Sequence, residues 1–459
     1  MPSSQLQLND HSRIGVIGGG PAGSFSSFFL LDMAMRMGIK IEVDIYEPRD
    51  FTQAGPSGCN MCGGIISESL VQILATEGIN LPTTVVQRGI DSYVLHTDIG
   101  NVTIETPLRE KRIGAVHRGG GPRDVIEFQW DSFDRHLQDL AVSKGARVIP
   151  KRADQVIWEN GKPQIHVRNQ DAQEYDLIIV ATGVNAATHK LFKNVELKYA
   201  PPSTTKTHIR EYYLGAEKIE QILGTSMHVF LLDLPRLEFA AVIPKGDYVS
   251  LCLLGEDIDK ELLTTFLDTP VVKNCFPDGL DLDAPSCWCS PRINIVGASD
   301  PYADRLLFVG DCGVTRLYKD GIGAAYRIAK AAASTAVFQG ISADTFEKFF
   351  FPACRNVEID NTIGKLIFMF TKHIQKRTFA RQAVINMVAS EQSKPGKKRH
   401  MSTVLWDMFT GSAPYEKILL RTFHPGFWGG FLLNLGSALF STKKPTTQLS
   451  VTDDSDMTV

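Results

Sequence analysis

The sequence predicts a mixed α/β chain, α+β overall: a doubly wound domain on a parallel sheet built from discontinuous segments, an antiparallel β-sheet domain, and a C-terminal helical region. Three observations carry that prediction. A strand, a glycine turn, a helix and a second strand open the chain at residues 13–47; buried-strand patterns ending in small residues recur at 176–183 and 306–311; and beyond Phe346 apolar residues fall at helical spacing. The 459 residues leave room for two or three domains at roughly 150 residues each. Cores of that size need neither disulfide nor metal staples.

Composition removes several function classes. Lys+Arg 48 against Asp+Glu 51 leaves a net charge of −3, so no field gathers a polyanion and nucleic-acid binding is set aside. Eight cysteines are too few for a disulfide framework, and residues 1–12 lack a basic stretch followed by an apolar one, so a cytoplasmic location is expected. The longest apolar stretch, 427–440, is interrupted by Asn434 and Ser437. It falls short of the roughly 18–20 residues of a spanning helix, so no membrane crossing is expected.

The first unit is Rossmann-like. Strand 13–17 runs into Gly18-Gly19-Gly20-Pro21-Ala22-Gly23, then a helix over 24–37 and a strand over 41–46 ending at Glu47. Gly18 allows the tight turn, Gly20 lets a pyrophosphate approach the backbone, and Gly23 lets helix and strand pack closely. The helix start then offers free N–H groups and a positive dipole end to phosphates. Glu47 is placed to accept from ribose hydroxyls. The second pattern, Asp176-Leu-Ile-Ile-Val-Ala-Thr182-Gly183, reads as a central strand delivering its backbone beside a dinucleotide. The third, Leu306-Leu-Phe-Val-Gly310-Asp311, is followed by Gly321-Ile322-Gly323 and an Ala-rich helix over 324–336. Its acid suits ligand hydroxyls, and its helix start suits an electron-rich ring edge.

These three segments, in this order, resemble the FAD-dependent glutathione-reductase-like superfamily, in the branch of geranylgeranyl reductases, the FixC group and p-hydroxybenzoate hydroxylase. Cys62-Gly63-Gly64-Ile65-Ile66 is similar to the Cys-Gly-Gly segment that geranylgeranyl reductases place over the flavin. Pro244-Lys245-Gly246-Asp247, before a strand-like 248–254, resembles a passage of that family's substrate sheet, and Phe133-Asp134-x-x-Leu137 also fits its pattern. The resemblance implies FAD held by Gly18, Gly20, Pro21, Ala22, Gly23, Glu47, Cys62, Gly63, Gly64, Thr182, Gly183, Gly310 and Asp311. It places Gly321, Ile322 and Gly323 near the ring, and gives Cys62 ring packing or proton supply. Phe239, Ala241, Ile243 and Pro244 then mark the substrate pocket. The arginine usual before the Phe-Asp pair is missing, Arg118 and Arg123 of a Gly-rich insertion being its nearest stand-ins, and Tyr318 replaces a proline.

The implied domains are an FAD-binding domain at 11–58, 110–190 and 296–340, a substrate domain at 59–109 and 191–295, a helical region at 341–440 and a disordered tail at 441–459. With one complete dinucleotide unit, no separate nicotinamide domain is expected. The reductant is NAD(P)H binding transiently or an electron-carrier protein. The implied activity is reduction of carbon-carbon double bonds in a hydrophobic, isoprenoid-like substrate. Two alternatives stay open: a monooxygenase that hydroxylates an aromatic or lipophilic substrate, and an electron-transfer flavoprotein serving a quinone or carrier. Neither tryptophan of the halogenases' Trp-x-Trp-x-Ile-Pro motif precedes Ile243-Pro244.

Cys59-Asn-Met-Cys62 reads as a thiol at the flavin, a flavin-coupled dithiol, or half of a zinc site with Cys287 and Cys289. Cys252, Cys275 and Cys354 read as core fillers, and Cys312 as packing. The 11 histidines form no metal-binding pattern, so no metal is expected, and His117 reads as an exposed loop residue, with a place at the active site as the alternative. Segment 415–440, aromatic and broken by glycines between Lys417, Arg421 and Lys443-Lys444, reads either as a helical cap or as a peripheral contact with a membrane surface.

Overall fold

A computed structural model of the chain describes residues 6–106, 113–125, 130–193, 195–393 and 398–440. The tail expected at 441–459, with Lys443 and Lys444, lies outside the described residues.

The parallel sheet forms as the hydrophobic runs require. Its order is Tyr302–Ala303, Leu306–Phe308, Leu177–Val180, Ser12–Ile17, Ile41–Tyr46, Arg147–Ile149, parallel except at the Tyr302–Ala303 edge. The chain leaves Ser12–Ile17 toward one neighbour and returns later on its other side, so the crevice beyond that strand's C-terminal end is a topological switch point. Helices Pro21–Arg36 and Gly321–Phe338 pack against each other, with Phe25 and Phe29 edge-on to Tyr326. The opposite sheet face carries a small sheet over Ala153–Glu159, Lys162–Val167 and Gln173–Glu174, whose Val156 and Ile165 join a core with Val180 and Phe308.

The second sheet has seven strands, ordered Cys287–Cys289, His208–Tyr213, Tyr248–Gly255, Leu237–Lys245, Ser226–Phe230, Ser92–Thr97, Gly100–Glu105. It is antiparallel but for one pair, Ser226–Phe230 beside Ser92–Thr97. Burial on both faces follows from side-chain alternation. One face, with Tyr93, Phe239, Ala241 and Ile243, is covered by C-terminal helices through Phe368, Val388, Trp406 and Phe409. The other, with Phe230, Ala240 and Val242, packs on helices Ala216–Ile222 and Lys260–Leu267. A third sheet joins Ile113–Val116 to Ile65–Ile66 and Val86–Ile90, carrying the Cys-Gly-Gly loop between the two larger sheets.

Segment 415–440 is not one helix. It breaks at His424-Pro425 into Tyr415–Thr422 and Pro425–Phe440, because proline supplies no backbone N–H to continue the ladder. No helix among the described residues is long and apolar enough to cross a membrane.

Candidate functional site

The glycine turn is built for close approach. Gly18 sits at φ +107°, and a Cβ there would meet the Ala181 carbonyl oxygen at 2.3 Å. A Cβ on Gly23 would meet the Gly18 carbonyl oxygen at 1.8 Å, so helix and turn touch backbone to backbone. Helix Pro21–Arg36 starts at Gly20 with no side-chain cap and with Pro21 in its first turn. Its leading N–H groups are therefore left for an anion at the switch point. Glu47 is buried where its strand ends, accepting from the N–H of Gly19 at 2.8 Å and of Arg49 at 2.9 Å. Burial raises its pKa against those donors.

These residues open onto a cavity of about 650 Å³, within the range of cofactor and ligand pockets. Gly18, Gly20, Pro21, Ala22, Glu47, Thr182, Gly183, Gly310, Asp311, Gly321 and Ile322 line one end. Cys62, Gly63 and Gly64 form a wall, and Phe239, Ala241 and Ile243 line an apolar end with Met227 and Phe409. Asp311 is exposed on the cavity surface, yet the protein packed around the cavity desolvates its carboxyl and raises its pKa, against a Thr315 hydrogen bond and the Arg118 charge.

Three expected site residues stay out of the lining. Gly23 and Gly323 sit behind it, the latter packed where a Cβ would strike the Asp320 carboxylate at 2.3 Å. Gly323 belongs to the helix start, not to the cavity surface. Pro244 is also absent from the lining, because Phe239, Ala241 and Ile243 share one face of Leu237–Lys245 and Pro244 has the opposite parity.

Sequence reasoning missed most of the polar wall. Arg118, half-buried as a residue but with its side chain only 9% exposed, forks onto Asp134, which is fully buried, with one bond of 3.0 Å to Oδ2. Asn60 Nδ2 donates to Asp134, and Arg49 donates to Asn60, so a polar chain runs along the wall beside Gly20. Burial works against the Arg118 charge, but Asp134 and the adjacent Cys62 sulfur outweigh it and raise the guanidinium pKa. Only the placement of Arg118 and Arg123 in an unusual glycine-rich insertion signalled this. Lys319 lines the cavity next to Tyr318, donates to the Asp407 carbonyl at 3.1 Å and lies over the Tyr415 ring. Burial, with Arg316 nearby, pushes its pKa well below the usual lysine range.

His117 is not an exposed loop residue. It is buried, stacked on Trp130 at 4.6 Å and edge-on to Tyr248, because the glycine-rich insertion folds inward. All eight cysteines are free thiols. Among the described residues Cys59, Cys62, Cys287 and Cys289 do not converge as one metal-ligand set; a different group does, His96, His228 and Cys275. Cys252 is more than core filler, since it lines the cavity and a Cβ on Gly63 would touch its sulfur at 2.9 Å.

No known family pattern and no curated protein matches the sequence. The fold does have solved counterparts. The chain is similar to a flavoprotein/dehydrogenase from Cytophaga hutchinsonii, with a TM-score of 0.61 and 14% identity over 93% of this chain and 100% of that one. It is similar to the flavin-dependent brominase Bmp2, at 0.59 and 15% over 89% and 99%. A mutant of the halogenase PltM in complex with FAD follows at 0.55 and 12% over 94% and 91%. At these identities the likeness defines the fold, which is that of FAD-binding flavoproteins.

Proposed function

We propose that the chain is an FAD-dependent oxidoreductase acting on a hydrophobic substrate, with reduction of a carbon-carbon double bond as its reaction. The carrying observation is the cavity itself, which joins an uncapped glycine-turn helix start at one end to the apolar sheet face of Phe239, Ala241 and Ile243 at the other. The residues present suit FAD. The backbone leaves room where a pyrophosphate approaches, and Glu47 and Asp311 face the cavity as acceptors for hydroxyls. When bound, FAD supplies the hydride equivalent, after reduction by NAD(P)H or a protein donor.

The chain's own residues do the rest. The Pro21–Arg36 N-terminus neutralises phosphate charge, and the C-terminal helices that cover Phe239 through Phe368 and Phe409 exclude water from the apolar end. The Cys62 thiol gives its proton to the carbon that does not receive the hydride, and is reprotonated from solvent. Arg118, fixed by Asp134, keeps a positive charge beside the thiolate that remains.

The test is anaerobic. Photoreduced, FAD-loaded protein is mixed with a polyprenyl alkene or with air-saturated buffer, following flavin absorbance and product mass. The proposal expects reoxidation by the alkene with a product two hydrogens heavier, slow reaction with air, and a loss of about 10²-fold in alkene turnover in Cys62→Ala with FAD binding kept. Rapid oxidation by air with an oxygenated product makes the protein a monooxygenase instead.

A hydrophobic substrate needs a route from a lipid phase. We assign that role to helices Tyr415–Thr422 and Pro425–Phe440 and the turn between them, where Leu420, Phe423, Trp428, Leu432, Leu433 and Leu439 are exposed alongside Lys417 and Arg421. This supports peripheral contact with an anionic membrane surface.

A further inference from the structure

The seven-stranded sheet carries, on the face turned away from the cavity, a group the flavin reading does not use. His96 lies on Ser92–Thr97 and His228 on Ser226–Phe230, adjacent parallel strands in which Phe230 pairs with His96 and His228 with Val94. Paired residues share a face and the side-chain period is two, so both imidazoles project to the same side. Cys275, just beyond the short helix Pro270–Lys273, brings its sulfur onto them. His96 Nε2 is 2.9 Å from His228 Nδ1, and Cys275 Sγ is 3.4 Å from His228 Nδ1 and 3.8 Å from His96 Nε2. All three side chains are buried, and Phe230, which meets Phe266 edge-on, stacks on the His96 ring at 4.8 Å.

Hydrogen bonding accounts for one edge of this triangle. A single proton serves the two nitrogens, while the thiol's own donor bond goes to the Val271 carbonyl at 3.5 Å. What remains is three potential ligand atoms close to one another, two of them sharing one hydrogen. A metal with bonds of about 2.0–2.1 Å to nitrogen and 2.3 Å to sulfur places its ligand atoms roughly 3.4–3.6 Å apart. The nitrogen–nitrogen edge has to open by about half an ångström, and the edge from Cys275 Sγ to His96 Nε2 to shift by a few tenths. Both imidazoles are buried, and the neutral imidazole is the form that ligates a metal.

Charge selects the ion. Two neutral imidazoles and one thiolate carry −1, so a monovalent cation gives a neutral complex. A divalent ion would leave net charge in an apolar core, which is costly. Among the described residues no fourth histidine, cysteine or carboxylate joins the three. A soft thiolate with two imidazoles in a three-coordinate set is copper chemistry rather than that of closed tetrahedral zinc. We propose that His96, His228 and Cys275 form a copper(I) site that pins two strands of the second sheet to the loop after Pro270–Lys273. On binding, the Cys275 S–H bond breaks and its proton leaves to solvent, and the proton held between His96 Nε2 and His228 Nδ1 moves, through solvent exchange, to the far nitrogen of the ring that carried it, so both rings stay neutral and both facing nitrogens have a lone pair. One Cu–S and two Cu–N bonds form, and no electron changes hands.

The test uses the full, FAD-loaded chain under anaerobic conditions, with copper(I) delivered against a competing copper(I) chelator. Metal per chain is measured by mass spectrometry and ligation by copper X-ray absorption. The proposal expects one tightly held copper with one sulfur and two nitrogen neighbours. Affinity should fall at least 100-fold in Cys275→Ser and in His228→Gln, and stay unchanged in the Cys59→Ser/Cys62→Ser double variant. The absorption spectrum of the unmutated protein decides the matter even if a variant fails to fold. An all-sulfur shell, copper retained in Cys275→Ser, copper lost with Cys59 and Cys62, or no copper held against the chelator overturns it.

Discussion

Arg118 and Asp134 show what a single buried pair contributes to the cavity wall. Asp134 is fully buried, and its carboxylate is shared by Arg118 and Asn60. Removing the cation leaves a buried charge with one neutral donor, so Arg118→Met should cost about 3–5 kcal/mol, read from urea unfolding of the FAD-free protein. An unchanged midpoint would mean that the pair is solvated. The contrast with the glycine turn explains what was legible at this scale. Gly18, Gly20 and Glu47 act within thirty residues of one another, through backbone geometry that few residue types permit. Asn60, Asp134 and Arg118 meet across 74 and 16 residues, and no local pattern announces such a meeting. His117 misled for a related reason, since a glycine-rich neighbourhood looks exposed until Trp130 is known to cover it.

At the scale of elements, caps and alternation decide what faces the cavity. Ser67 caps helix Glu68–Thr76 by accepting from the Leu70 N–H, and its hydroxyl donates to Asp320 at the start of Gly321–Phe338. Ser67→Ala should therefore cost about 1–2 kcal/mol in thermal or urea unfolding. It should also weaken FAD binding, because the same bond steadies the helix start at the cavity. The period-two register of Leu237–Lys245 was readable in principle, yet Pro244 was assigned to the pocket through its neighbours and not its parity. The second sheet's other face was opaque for a deeper reason. Positions 96, 228 and 275 converge only after two strands pair in parallel within an otherwise antiparallel sheet. For the C-terminal helices, Leu432→Glu/Leu433→Glu should leave thermal unfolding within about 0.5 kcal/mol, as expected for exposed positions, and abolish flotation with anionic vesicles. Flotation equal to that of the unmutated chain removes the membrane contact.

For the whole molecule, buried neutral histidines set the acid limb of stability. His96 and His208 are lowered to about 4 and His228 to about 3, and His117 lies well below its usual value, in each case first through burial. Because the folded state resists protonation, these groups cost nothing above about pH 6.5, the unfolded value. As pH falls below it the unfolded chain takes up protons first, and stability declines by about 1.4 kcal/mol per pH unit per histidine until the folded pKa is reached. Urea midpoints measured from pH 7 to pH 4 should fall steeply, and His117→Phe should flatten the slope. A slope indifferent to that change would place the histidines in contact with water.

Fold class was legible because three strand patterns and a helical tail are each local, whereas the joining of two sheets through the Cys62–Gly64 loop is a long-range result. The central claim is that this junction is an FAD site. It is tested most directly by counting flavin: FAD released on denaturing the purified chain, and the dissociation constant for FAD added back. The account predicts about one FAD per chain. In Gly20→Val, whose Cβ would lie 3.1 Å from Asn60 Nδ2 and 4.0 Å from Asp134 Oδ2 and strike no backbone atom, the fold should persist while affinity drops at least tenfold, about 1.4 kcal/mol. A chain that takes up no flavin, or a Gly20→Val protein that binds it as tightly as the unmutated one, would contradict the account.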